Sequence, residues 1–481
     1  VATVAMFRAS ALPIPRRYAM AESHPDRIDQ LSREIEGSIL RPGQESFETA
    51  GTVWNARFHR APALTVRCVG AEDVAAALRF ARDEGMALSV KGGGHDYAGN
   101  TVAEGSLLID LGPMDSVEVD VPARRAVVGA GATWGQVDEA TVPHGLATPG
   151  GTVSSVGVSG FSLGGGSGWL TRKHGLAVDN VRAAQVVTAS GEIVRADEDE
   201  NPDLFWAIRG GGGNFGVVTS FEYALHPIPP EVLAGQVFYP LERAAELLRF
   251  YRDRFRDAPD ELMCYPFFIR VPPMEPFPEA YHGRVVLDFV VAYLGPVEEG
   301  TAHVAPFREL GDPFLDLVAP QPYTTLQQAF DAGMGKGNRW YSRSQHLDDL
   351  TDAAIDTLVG GLDPFPGAFT AVYLGPHGGA AGRVAGDAVA YPHRSSAHEL
   401  HIFPGWADPA MDEAAMAWAD TLHEAMLPHG NGAVYVNLLG DGEADRVESA
   451  YGSNYPRLRE LKSKWDPENL FRGNHNIPPG A

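Results

Sequence analysis

The chain has 481 residues, 44% of them hydrophobic and 21% charged, with 54 Gly and 36 Pro spread along it. That suits two or three globular domains with many tight turns and argues against disorder. A formal net charge of −24 argues against nucleic acid and anionic membranes as partners. With two cysteines, Cys68 and Cys264, the chain needs no disulfide framework, and no CxxC or Cys/His cluster suggests zinc.

Residues 1–25 carry no continuous apolar run of signal length and read as a flexible segment; with no membrane-spanning window, a cytoplasmic location is expected. Residues 64–69 read as a strand. Residues 74–82 have helical spacing, with Val74, Leu78 and Ala81 on one face and Gly85 as a stop. Residues 88–90 form a second strand, so a βαβ unit is expected to run into "KGGGHDYAG" at 91–99. Strands near 106–110, 117–121 and 126–128 follow. A second glycine-rich region covers 148–168 and a third 209–225. Pro227, Pro229 and Pro230 mark a boundary. "HELHIF" at 398–403 has a loose strand alternation. Beyond 430 come short glycine-punctuated elements, then a helical stretch with Val447, Tyr451, Leu458, Leu461 and Trp465 as apolar positions, broken or kinked at Pro456. The expected organisation is one domain from 26–228 plus 430–481, with 229–429 inserted.

Three glycine loops in one domain can line a single groove, where backbone N–H groups converge on an anion such as a diphosphate. Two familiar patterns are absent. "VVGAGATWG" at 127–135 is GxGxxxG with no clear ribose-binding acid, and "RGGGGNFG" at 209–216 lacks the GK[ST] ending of an ATP-binding loop. His95, directly behind three glycines, carries a nitrogen nucleophilic enough to bond to an electrophilic cofactor carbon.

Taken together, "KGGGHDYAG", "GVSGFSLGGGSGWLTRKHGLAVDNV" (157–181), "DLFWAIRGGGGNFGVVTSF" (203–221) and the tail at 450–477 resemble the berberine-bridge-enzyme-like FAD-linked oxidases of the vanillyl-alcohol oxidase superfamily. The resemblance implies an α+β fold, a two-lobed FAD-binding domain with an inserted antiparallel sheet covered by helices. It implies a covalent bond from His95 to the flavin. Gly92, Gly93, Gly94 and Asp96 would shape the loop at the pyrophosphate, with Lys91 where the family often has Arg. Gly150, Gly151, Thr152, Ser155, Gly157, Gly160, Gly164 and Gly165 would line the second loop. Gly216 and Val217 would approach the adenine, and Asn437 and Asn474 would pass near the flavin.

Two positions depart from the family. Val153 stands where many relatives have a second flavin-bonding cysteine, so a single bond through His95 is expected. Leu438 stands where many have a catalytic tyrosine, so proton removal needs another group. Strand alternation puts Glu399, His401 and Phe403 on one face, and Glu399 or His401 is the candidate base; Tyr435 is a further candidate, sharing a face with Asn437. Val156, small as in relatives where oxygen reaches the flavin, favours an oxidase. The leading expectation is an oxidase that passes hydride from a small organic alcohol or amine to FAD and reduces dioxygen to hydrogen peroxide. The alternatives are a dehydrogenase with another acceptor and a flavoprotein that binds a small molecule without turnover. Substrate identity and oligomeric state stay open.

Overall fold

The computed structural model describes residues 25–480. The flexible segment expected at 1–25 therefore lies, apart from Pro25, outside the described residues. Among these, no helix is long and apolar enough to cross a membrane.

The first lobe is a four-stranded sheet in the order Ser38–Leu40, Leu64–Arg67, Leu107–Asp110, Leu88–Lys91. The last three are parallel. The central strand, LLID, is buried throughout, as a parallel strand covered on both faces must be. The helix Ala71–Asp83 buries Val74, Leu78 and Ala81 against this sheet, as their spacing predicts. The expected βαβ unit is modified in one respect: its two strands are not neighbours, because Leu107–Asp110 inserts between them.

The second lobe is a five-stranded antiparallel sheet in the order Val117–Asp120, Arg125–Gly129, Val217–Ala224, Val181–Val187, Ile193–Ala196. At the far end of the chain the helices Val447–Tyr451 and Tyr455–Trp465 return to it. Pro456 opens the second of these, so the expected long helix is two. Lys462 in that helix is fully buried. It donates to the Asp466 carboxylate (2.7 Å) and to the carbonyls of Asn214 (2.8 Å) and Phe471 (2.9 Å), which ties the tail to the third glycine loop.

Between these segments lies an antiparallel sheet built on Glu231–Pro240, Val285–Tyr293, Leu262–Arg270, Ala371–Pro376, His398–Phe403 and Arg343–Leu347, neighbours in that order. Its faces divide by strand alternation. In Leu262–Arg270, Leu262, Cys264 and Phe268 join Leu247, Leu358 and Leu422 beneath the covering helices. Met263, Tyr265 and Phe267 face the other way and pack with Trp169 and Phe403 toward the glycine loops. Arg172 fastens the layers: its guanidinium donates to the carbonyls of Leu262 (3.1 Å), Ala258 (3.0 Å) and His377 (2.7 Å).

Candidate active site

A cavity of about 1080 Å³ runs from Gly213 and Asn474, past His95, to Tyr373 and Phe369 under the antiparallel sheet. The glycine loops form its floor for a reason the sequence did not disclose. A Cβ on Gly93 would collide with the backbone nitrogen of Gly157, and one on Gly157 with that of Gly93. The first two loops thus touch backbone to backbone, and neither position tolerates a side chain. Gly164 is likewise closed, by the Asn437 carboxamide.

His95 follows this contact with its ring stacked on Trp54 (4.9 Å between centroids), which in turn stacks on Trp340 (4.9 Å). Nε2 lies 2.9 Å from Ser155 Oγ. Burial, reinforced by the Lys336 ammonium, lowers the imidazole pKa to about 4. The ring is therefore neutral at ordinary pH and retains a lone pair for bonding. The Asp96 carboxylate accepts from the backbone N–H groups of Ala98 (3.1 Å) and Asn100, so it shapes the turn while lining the cavity.

Most expected cofactor residues converge on this space: Gly92, Gly93, Gly94, His95 and Asp96; Gly151, Thr152, Val156, Gly157 and Gly160; Gly216, Val217, Asn437 and Asn474. Val153, the position of the missing cysteine, also lines it, whereas Cys68 and Cys264 are buried in separate cores. Five expected residues do not line it. Lys91 donates to the Ala50 carbonyl and lies 3.7 Å from Asp110, paired within the protein. Ser155 is exposed and meets the site through its contact with His95. Gly150 sits on the Trp134 ring, Gly164 behind Asn437, and Gly165 behind Tyr391 and Tyr435.

The base candidates also separate. Glu399 and Tyr435 line the cavity. His401 does not: it is fully buried, its Nε2 is 2.9 Å from Ser342 Oγ, and its ring is stacked on Phe403 (4.6 Å) with Tyr97 and Tyr373 edge-on. Burial lowers its pKa to about 3. Alternation did place Glu399, His401 and Phe403 on one face, but neighbouring rings cover the middle residue. Tyr435 and Asn437 meet as expected, though through a short 3₁₀ turn instead of a strand. The Tyr435 hydroxyl accepts from the N–H of Gly166 (2.7 Å) and from Asn437 Nδ2 (2.8 Å). Burial raises its phenol pKa.

Asp288, absent from the residues expected above, also lines the cavity. It is a lone acid in the strand VVLDFVVAY, fully buried, and accepts from Gln236 Nε2 (2.6 Å); burial pushes its pKa well above the carboxylate range. A single acid inside an apolar strand was the available signal. The aromatic walls Tyr265, Phe267 and Tyr373 gave none, since strand aromatics ordinarily pack.

Two family models match the chain: an FAD binding domain over residues 62–197 and a berberine and berberine-like segment over 434–478. (R)-6-hydroxynicotine oxidase of Paenarthrobacter nicotinovorans is 32% identical, covering 92% of this chain and 97% of the relative. The chain belongs to the berberine-bridge-enzyme-like FAD-linked oxidoreductases. A second relative of this oxidoreductase, from Dictyostelium discoideum, is 30% identical, covering 94% of this chain and 97% of its own. The crystal structure of 6-hydroxy-D-nicotine oxidase from Arthrobacter nicotinovorans superposes with a TM-score of 0.84 at 30% identity, over 93% of this chain and 98% of that one. Xylooligosaccharide oxidase from Myceliophthora thermophila superposes with a TM-score of 0.83 at 25% identity, over 95% and 100%.

The residues present fit FAD. The cavity exceeds what a small substrate alone requires. Its floor is backbone held open by obligatory glycines, and Asn474 Oδ1, buried at one end, has no partner among the described residues.

Proposed function

We propose that this oxidoreductase is an oxidase of a small organic alcohol or amine, with FAD attached through His95 alone and dioxygen reduced to hydrogen peroxide. The observation that carries the reading is the continuity of the cavity: one space joins the glycine loops and the neutral His95 to an aromatic chamber containing Glu399. Bound flavin supplies a two-electron sink. The chain's residues do the rest. Tyr97, Tyr265, Phe267 and Tyr373 form walls that suit a flat or ring-bearing substrate and exclude water. Glu399 takes the O–H or N–H proton; it faces the chamber, whereas His401 is shut off by Phe403 and Tyr373. Tyr435 accepts two N–H bonds and keeps its own proton to donate to the substrate heteroatom. Val156 leaves room at the cavity wall for dioxygen, and Val153 offers no second attachment. Similarity to an oxidase of a hydroxynicotine and to one solved with xylobiose supports an amine or alcohol substrate.

A panel of cyclic amines, sugars and aromatic alcohols, scored for peroxide release in air, tests this. An active compound should also bleach the flavin without air, and the colour should return when air is admitted. Bleaching without peroxide would make the protein a dehydrogenase. Ligand-induced spectral shifts with no bleaching across the panel would make it a binding protein.

A further inference from the structure

Three neighbouring strands bring together a second group of side chains at one edge of the chamber. His346 on Arg343–Leu347 lies directly opposite Glu399 on His398–Phe403, and Glu399 lies opposite Gly375 on Ala371–Pro376. Cross-strand partners point to the same face. Gly375 adds no side chain there, and His377, two residues on, occupies the space. His377 Nε2 is 3.8 Å from Glu399 Oε2. One ligand atom from each of His346, His377 and Glu399 lies within 4.8 Å of the others. The His377 backbone is held by Arg172, so the histidine sits on a fixed segment.

All three side chains are buried: His346 is 0%, Glu399 4% and His377 8% exposed. Yet among the described residues both ring nitrogens of His346 and Oε2 of Glu399 lack a hydrogen-bond partner. A buried polar atom left unpaired destabilises the fold, so these atoms are suited to a partner from outside the chain. His393 packs beside His346 but commits its Nε2 to the Ala450 carbonyl (2.9 Å).

We propose that His346, His377 and Glu399 form a three-ligand site for a divalent transition-metal ion of the zinc class, and that its occupancy stops turnover by engaging the Glu399 carboxylate. Two imidazoles and one carboxyl group make a donor set typical of such ions, leaving a fourth position. His377 and Glu399 both line the cavity, so that position opens toward the chamber. A metal and a proton compete for the same carboxylate, so the loaded site cannot accept the substrate proton. The inhibitory half rests on Glu399 being the base; the site itself does not.

The test uses the flavin-loaded protein, stripped with a chelator and titrated with zinc chloride by calorimetry. One ion per chain is expected to bind, and His346→Gln and His377→Gln are each expected to weaken binding by at least about tenfold, the loss found even for outer-shell partners. Zinc-edge absorption of the wild type, independent of how the variants fold, should give only nitrogen and oxygen ligands near about 2.0 Å. Saturating zinc should suppress peroxide release, and chelator should restore it. No stoichiometric binding, a sulfur ligand, or binding unchanged in both variants would overturn the site. Binding at these residues with turnover unaffected would leave the site standing and overturn both the inhibition and the role of Glu399 as base.

Discussion

His95 is fixed on one side by the Trp54–Trp340 stack and on the other by Ser155 Oγ, so its ring is aimed before any cofactor arrives. Acid precipitation of the wild type should therefore carry the yellow colour into the pellet, with a flavin adduct on the peptide bearing His95. The His95→Ala variant should release its colour to the supernatant; a yellow pellet from that variant would place the bond elsewhere. At the proposed base, Glu399→Gln keeps the shape and removes the proton acceptor, and kcat should fall by about 10²–10⁴-fold. His401→Gln alters a ring that lies behind the chamber wall, against Ser342 and the rings of Tyr97, Tyr373 and Phe403, and should show no such fall. The reverse ranking would restore His401 as the base.

Among elements, the contact between the first two glycine loops sets the cavity floor. In Gly157→Ala the new methyl meets the Gly93 nitrogen, where no flexible side chain can yield. Overpacking of this kind costs about 1–3 kcal/mol, and here it also separates the loops. The purified variant should show a lower ratio of flavin to protein absorbance than the wild type. A normal ratio would mean that the loops part without disturbing the cofactor site. The strands of the roof act by register: the pairing that puts Glu399 opposite His346 also decides which side chains face the chamber.

Across the whole molecule, Lys462 and Arg172 join distant segments through buried carbonyls, and several titratable groups are buried with them. Burial lowers the pKa of His174 to about 3 and of His423 to about 4. An unfolded histidine titrates near about 6.5, so the unfolded chain takes up protons there that the folded one refuses. Stability from these residues is present at neutral pH and falls as pH drops below about 6.5. Asp138, which accepts from Gln327 Nε2 (2.9 Å), acts in the opposite sense. Burial raises its pKa to about 7, so its contribution is fullest in acid and is lost as pH rises through about 7. Asp138→Asn removes that opposing contribution, and the rise of melting temperature between about pH 5 and pH 7 should become steeper. Identical profiles would mean that Asp138 is ionised across this range.

Local pattern sufficed where the chemistry is local. Helical spacing located Ala71–Asp83, and the glycine loops with His95 pointed to the family and to FAD, because a loop pressed against a nucleotide needs particular residues at consecutive positions. The break at Pro456 and the shared face of Glu399 and Phe403 were legible for the same reason. Only the tertiary structure decided that Leu107–Asp110 separates two strands read as neighbours, that Lys91 pairs inward with Asp110, and that His401 is covered while Glu399 is open. It alone placed His346 and His377 beside Glu399. Those outcomes depend on which strands pair and on what packs over each side chain, and both are settled by residues far away in the chain.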